Sequence, residues 1–201
     1  MTEKQSAYGV AAPPTVLARE RLSHQSADGE KHIADVKTES GVVLEFLHSH
    51  LRRDERESRE RFYQKMVWVV DGVRRKRDTA QFFALVDKAN IVNRKPLIVS
   101  APSNEGALLR DWVGSHAAVF FDFGDDSEPP DLPSFGGPVL WQLDPHSPNG
   151  RAHLSPVLKT LFLDTCLKGL PLAPLPPVPP DLRPQWVIDF WAGKKRKRPG
   201  F

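Results

Sequence analysis

Two acids, Asp35 and Glu45, are the residues whose type and spacing could do chemistry. Strand alternation puts Glu45, Leu47 and Ser49 on one face and Phe46 and His48 on the other. A turn at Thr38-Glu-Ser-Gly41 can fold the strand carrying Asp35 back alongside, so that both carboxylates share a face. Two buried acids without a counter-charge repel, and one of them stays protonated. A divalent cation removes that conflict. Mg²⁺ prefers oxygen ligands and is commonly held by one or two carboxylates plus phosphate oxygens. There it could polarise a scissile phosphate and lower the pKa of an attacking water. An Asp and a Glu on the solvent face of an ordinary hairpin is the competing reading of the same pattern.

The elements around the acids are short and distinct. Ser26-Ala-Asp-Gly29 is a turn signal that can join a poor strand near Leu22 to a better one at Lys31 to Lys37. Val42 to Ser49 is strand-like, rich in β-branched and aromatic residues. Leu51 to Lys65 changes period, and its closely spaced opposite charges suit a helix with i,i+4 pairs, anchored by Leu51, Phe62 and Tyr63. Met66-Val-Trp-Val-Val70 is an apolar run fit for a central strand buried on both faces, ended by Asp71-Gly72. Thr79 to Asn90 reads as an amphipathic helix with Phe82, Phe83, Leu85 and Val86 inward. Leu97 to Ser100, Ala117 to Asp122 and Val139 to Leu143 read as strands, and Glu105 to Val113 as a helix. Gly124 to Gly137 reads as a loop. Leu154 to Leu167 reads as a helix, because Ser155-Pro156 suits a helix start.

The fold class expected is α/β, with a mixed central sheet flanked by helices. A chain of 201 residues can bury one substantial core. The expected division is an N-terminal arm at 1–21, one α/β domain at 22–168, and a Pro-rich connector with a basic tail at 169–201. Apolar content of 40% and charged content of 26% are those of an ordinary globular domain. No apolar run is long enough to span a bilayer, and the first residues lack the apolar core of a secretion signal, so a cytoplasmic protein with no membrane partner is expected. The single cysteine, Cys166, excludes an internal disulfide and reads as a buried inert thiol.

The net charge of +3 is unevenly spread. The runs Arg74-Arg-Lys-Arg77 and Lys194-Lys-Arg-Lys-Arg198 carry nine positive charges, and without them the remainder would be −6. Such runs can dock a phosphate backbone or serve as solvated loop and tail. Arg56 and Arg59, at helical spacing, could reach a phosphate or pair with Glu55, Glu60 or Glu45. Ser49 could bond a phosphate or sit at the start of the following helix. His48-Ser-His50 invites a zinc reading, but the nearby Asp and Glu and the lack of cysteine favour a harder cation. Pro171 to Pro180 holds six prolines in ten residues and should be an extended connector, with a PxxP spacing that could dock a protein partner. Trp186 and Trp191 follow it.

The run Lys31-His-Ile-Ala-Asp-Val, the Glu45-Phe-x-His48-Ser49 motif, the Glu55-Arg56-x-x-Arg59-Glu60-x-Phe62-Tyr63 helix and Met66-Val-Trp-Val-Val-Asp71 occur in order. Together they resemble the competence protein CoiA-like nuclease domain, of the PD-(D/E)xK nuclease superfamily, over residues 22 to 75. The resemblance implies a restriction-endonuclease-like core in the N-terminal half, with its hairpin core at 22–90. It implies Asp35 and Glu45 as catalytic and metal-binding acids, the Phe46 carbonyl as a further metal ligand, and Mg²⁺ or Mn²⁺ as cofactor. It implies hydrolysis of DNA; the residues whose charge, spacing or face could bring them to a phosphate, Ser49, Arg56, Arg59, Arg74, Arg75, Lys76 and Arg77, would then meet the nucleic acid. Two positions after the second acid the family usually holds Lys or Gln, whereas this chain holds Leu47, which neither donates nor accepts. An upstream helix carrying a Glu and a Trp-His…Trp-Lys pattern is also missing before His32. These departures imply weakened activity; the alternative is a degenerate nucleic-acid-binding or protein-interaction module.

Overall fold

The computed structural model describes residues 23–25, 31–33, 35–63, 65–125, 135–144 and 150–168. The expected N-terminal arm, Pro-rich segment, Trp186/Trp191 element and basic tail lie outside these residues. Strands β1 (Ser23–Gln25) and β2 (Lys31–Ile33) form a separate antiparallel pair with Ser23 opposite Ile33. The expected strand at Lys31 to Lys37 is therefore split. Its second part, β3 (Val36–Lys37), pairs antiparallel with β4 (Val43–Leu47) at the edge of the main sheet.

The main sheet continues through β5 (Met66–Asp71), β6 (Asn90–Arg94), β7 (Leu97–Pro102), β8 (Ala118–Asp122), β9 (Val139–Asp144) and β10 (Arg151–Leu158). Its order is β3-β4-β5-β8-β9-β10-β7-β6. Helices α1 (Arg53–Phe62), α2 (Asp78–Asp87), α3 (Ala107–Trp112) and α4 (Lys159–Leu167) complete the described fold. The β4–β5 and β5–β8 pairs are parallel, and the other neighbours are antiparallel. The class is α/β with a mixed, mostly antiparallel sheet. No helix among the described residues is long and apolar enough to cross a membrane.

Local chemistry explains the hairpin that presents the acids. Gly41 adopts φ of 81°, a left-handed conformation that glycine reaches without a Cβ penalty. Its N–H donates to the Thr38 carbonyl at 2.9 Å, and the Thr38 N–H donates to the Val42 carbonyl at 2.9 Å. β4 and β5 run parallel, so a crossover must join them, and α1 supplies it. β5 is buried from Met66 through Val70, as its unbroken apolar run requires.

Hydrophobic cores lie on both faces of the sheet. On one, Val43, Trp68, Val70, Phe121 and Trp141 pack with Phe82 of α2, Leu109 of α3 and Tyr63 after α1. Phe82 stands among Phe123, Trp141 and Phe121 at ring separations of 4.5, 5.6 and 5.8 Å. On the other, Leu44, Val67, Val69, Phe120 and Leu140 pack with Phe162 and Cys166 of α4. Burial pushes the Cys166 thiol up to about 11, in keeping with an inert role.

Two expectations are corrected. The helix expected over Leu154 to Leu167 is a strand, β10, as far as Leu158 and a helix, α4, only from Lys159. Pro156 is tolerated because the β7 ladder ends at Leu154, so beyond it only β9 remains a neighbour and the position is edge-like. The helix expected over Thr79 to Asn90 ends at Asp87, and Asn90–Arg94 forms β6, which turns through Lys95-Pro96 to pair with β7.

Candidate functional site

The hairpin brings Asp35 and Glu45 into each other's field. Asp35 is exposed just before β3, and its Oδ2 accepts the Phe46 N–H across the turn at 2.8 Å. Glu45 points from β4 toward α1 and is only 3% exposed. Its Oε2 accepts from Arg59 Nη1 at 3.0 Å, while Arg59 Nη2 donates to Glu55 at 2.6 Å. Glu45 Oε1 is buried and has no hydrogen-bond partner among the described residues, and the same holds for Arg59 Nε and the Tyr63 hydroxyl. Burial pushes the Glu45 carboxyl up to about 7. Arg59 opposes the rise, and the charge of Asp35 adds to it. Tyr63 is raised too, first by burial and then by Glu45, so the hydroxyl and the carboxylate also sense each other.

Two carboxylates are the donor type that a small hard cation takes. Two carboxylates stand close enough to interact, one buried oxygen is unsatisfied, and Mg²⁺ commonly takes no more than two protein carboxylates. No group of three or more His, Cys, Asp and Glu that could hold a metal occurs among the described residues. Phe46 contributes its N–H to Asp35, and its side chain is 39% exposed on the far face. Leu47 shares the face of Glu45 and packs, half-buried, against the α1–α3 core with Leu51 and Phe62. The side of the acid where a polar group would be wanted is thus filled with hydrocarbon.

The residues expected to meet nucleic acid are placed unequally. Arg56 is 4% exposed rather than free to reach outward. Its Nη1 donates to the Asp111 carbonyl at 2.6 Å, its guanidinium lies 5.4 Å from the Trp112 ring, and its Nε is 3.4 Å from Glu60. Arg59 is engaged by Glu45 and Glu55. In the run 74–77, Arg75 is bonded to Asp78 and Asp111, whereas Lys76 and Arg77 are exposed and Arg74 is half-buried. Ser49 is exposed past the end of β4; the cap of α1 is Arg52, so Ser49 does not begin that helix. His48 lies on the opposite face and sits 3.2 Å from Asp71, and His50 is exposed.

Sequence reasoning missed what holds α1 in place. Glu60 is buried, and its Oε1 accepts from Trp68 Nε1 at 3.0 Å and Ser115 Oγ at 2.6 Å, while Oε2 accepts the His116 N–H at 3.0 Å. This carboxylate ties α1 to β5 and to the approach to β8, and so fixes the helix that covers Glu45. The signal available was the i,i+4 spacing of Arg56 and Glu60, both turned inward. Also unforeseen is a polar rim on the other face, where Lys159 binds Asp122 at 2.8 Å and Asp125 at 2.6 Å. Asp122 is paired in register with Asp71.

Comparison with protein-family models, with curated proteins and with solved structures finds no match.

Proposed function

We propose that this chain is a CoiA-like, metal-dependent nuclease relative with a restriction-endonuclease-like core in its N-terminal half, acting on DNA in the cytoplasm by phosphodiester hydrolysis. The observation that carries the reading is the buried, unsatisfied Glu45 Oε1 within the field of Asp35, on neighbouring arms of one hairpin. Asp35 and Glu45 would hold Mg²⁺ or Mn²⁺, with the Phe46 carbonyl as the further ligand that the family resemblance implies. The bound ion would supply Lewis acidity and a water of lowered pKa. Asp35 is steadied by the Phe46 N–H, and Arg59 orients Glu45 through Oε2. Burial holds the Glu45 carboxyl well above the usual carboxylate range, so its protonated form must shed a proton to serve as a ligand. Within the run 74–77, Lys76 and Arg77 are the exposed cations that would approach a phosphate backbone.

A second reading is favoured by Leu47 and by the Arg59 ion pair, which between them leave Glu45 walled in. It makes the chain a nucleic-acid binder that no longer cuts. Plasmid and single-stranded DNA cleavage with Mg²⁺ or Mn²⁺ tests both. The nuclease reading expects metal-dependent scission that Asp35→Ala and Glu45→Ala abolish, and equal activity in all three proteins would remove the assigned site. Leu47→Gln is expected to raise cleavage by about 10²-fold, since a polar group aimed at developing charge is worth that much. No scission in wild type or Leu47→Gln, with salt-sensitive binding retained, selects the binder.

A further inference from the structure

A cleft of about 230 Å³ opens where the carboxyl end of β4 and the segment after β5 meet the end of α3. Open α/β sheets bind ligands outside the carboxyl ends of their parallel strands. Four arginines line this cleft, Arg53, Arg56, Arg74 and Arg110, against one carboxylate, Asp111. Neither Asp35 nor Glu45 lines it.

The arginines are not equally engaged. Arg53 is held by Glu57 at 2.8 Å. Asp111 accepts two bonds from Arg75 at 3.1 Å, which leaves Arg110 only a long 3.8 Å contact with it. Arg74 makes no ion pair among the described residues. Arg56, with a side chain only 5% exposed, forms part of the wall, and its buried Nε has no hydrogen-bond partner despite lying 3.4 Å from Glu60. Two guanidiniums, those of Arg74 and Arg110, are therefore largely unspent, whereas Arg56 is held by the Asp111 carbonyl with its Nε beside Glu60. Guanidiniums are planar forks suited to bidentate phosphate recognition. Leu47, Leu51 and Val113, all half-buried, give the cleft an apolar side. Its volume lies below the roughly 300–1,000 Å³ of sites that enclose drug-sized ligands, which suits one small group rather than a polymer.

We propose that this arginine cleft binds the phosphate monoester of a single nucleotide unit, through Arg74 and Arg110. A monoester carries roughly −1.5 to −2 charge at neutral pH, which matches the two unspent cations better than a carboxylate or an internal phosphodiester does. The unit could arrive as a free mononucleotide or as the 5′-phosphorylated end of a strand. The inference stands whether or not the acid pair cleaves.

Binding measured in EDTA separates this from cleavage. One pair of probes is a single-stranded oligonucleotide with a 5′-phosphate and the same strand with a 5′-hydroxyl, followed by anisotropy. The other pair is adenosine 5′-monophosphate and adenosine, followed by calorimetry. The phosphate-bearing member of at least one pair is expected to bind about tenfold tighter, since a charge-assisted hydrogen bond is worth about that factor. Arg74→Ala and Arg110→Ala, neither a member of the buried core, should erase the preference. A preference for the mononucleotide alone identifies a free nucleotide as ligand, and one for the oligonucleotide identifies a strand end. No preference in either pair, or a preference that survives in both variants, overturns the proposal.

Discussion

Replacing Glu45 with Gln should make the pH dependence of folding stability visibly shallower. In the native protein the Glu45 carboxyl titrates at about 7, against 4.5 for an ordinary glutamate. Between those values the folded chain keeps a proton that the unfolded chain has released. A raised acid therefore contributes stability that is full below the lower value and is lost as pH rises through the upper one. Each tenfold difference in proton affinity is worth about 1.4 kcal/mol, so the loss from about pH 5 to about pH 8 is on the order of 2–3 kcal/mol. Gln keeps an oxygen to accept from Arg59 but does not titrate. The assay is urea denaturation of wild type and Glu45→Gln in EDTA across that range, taking the difference so that all other groups cancel. Wild type should lose on the order of 2–3 kcal/mol relative to the variant. Asp35→Asn, which removes a charge that raises Glu45, should shrink the loss. A stability difference that is flat with pH would refute the claim that burial and Asp35 set the protonation of this acid.

Glu60→Ala should cost about 3–5 kcal/mol, because it strands the Trp68, Ser115 and His116 donors and leaves the Arg56 guanidinium buried beside no carboxylate; a urea midpoint shift equivalent to under about 1 kcal/mol would contradict this. Gly72→Ala should cost about 1–3 kcal/mol, because a Cβ there would run into the Phe123 ring, which packs at a tilt against Phe82 and Phe83; an unchanged thermal midpoint would show that the ring has room to move.

The parts of the fold that were legible in sequence are those decided locally. Gly41 needs a positive φ, and the turn Thr38 to Gly41 declares itself by composition. Met66 to Val70 has no polar residue, so only a fully covered strand can hold it. The parts that were illegible depend on distant partners. Arg56 and Glu60 look like a solvated ion pair on a charged helix. Their burial comes from Asp111, Ser115 and His116, more than fifty residues away. Pro156 reads as a helix start because nothing near it in the chain reveals that the β7 ladder stops at Leu154. In the site, the facing of Glu45 and Leu47 follows from alternation. The pairing of Arg59 with Glu45 is one of two outcomes its spacing allowed, whereas the closure of α1 over Glu45 and the inward turn of Arg56 do not follow from it.

The most direct test of the acid pair is calorimetric titration of the metal-free protein with Mn²⁺ near pH 7 in two buffers of different ionisation enthalpy. Uptake of about one ion per chain is expected, with net release of protons, because burial raises the Glu45 carboxyl and it must ionise to bind. Both signals should vanish in Glu45→Gln. Absence of uptake by wild type, or equal uptake and proton release in the variant, would contradict the account.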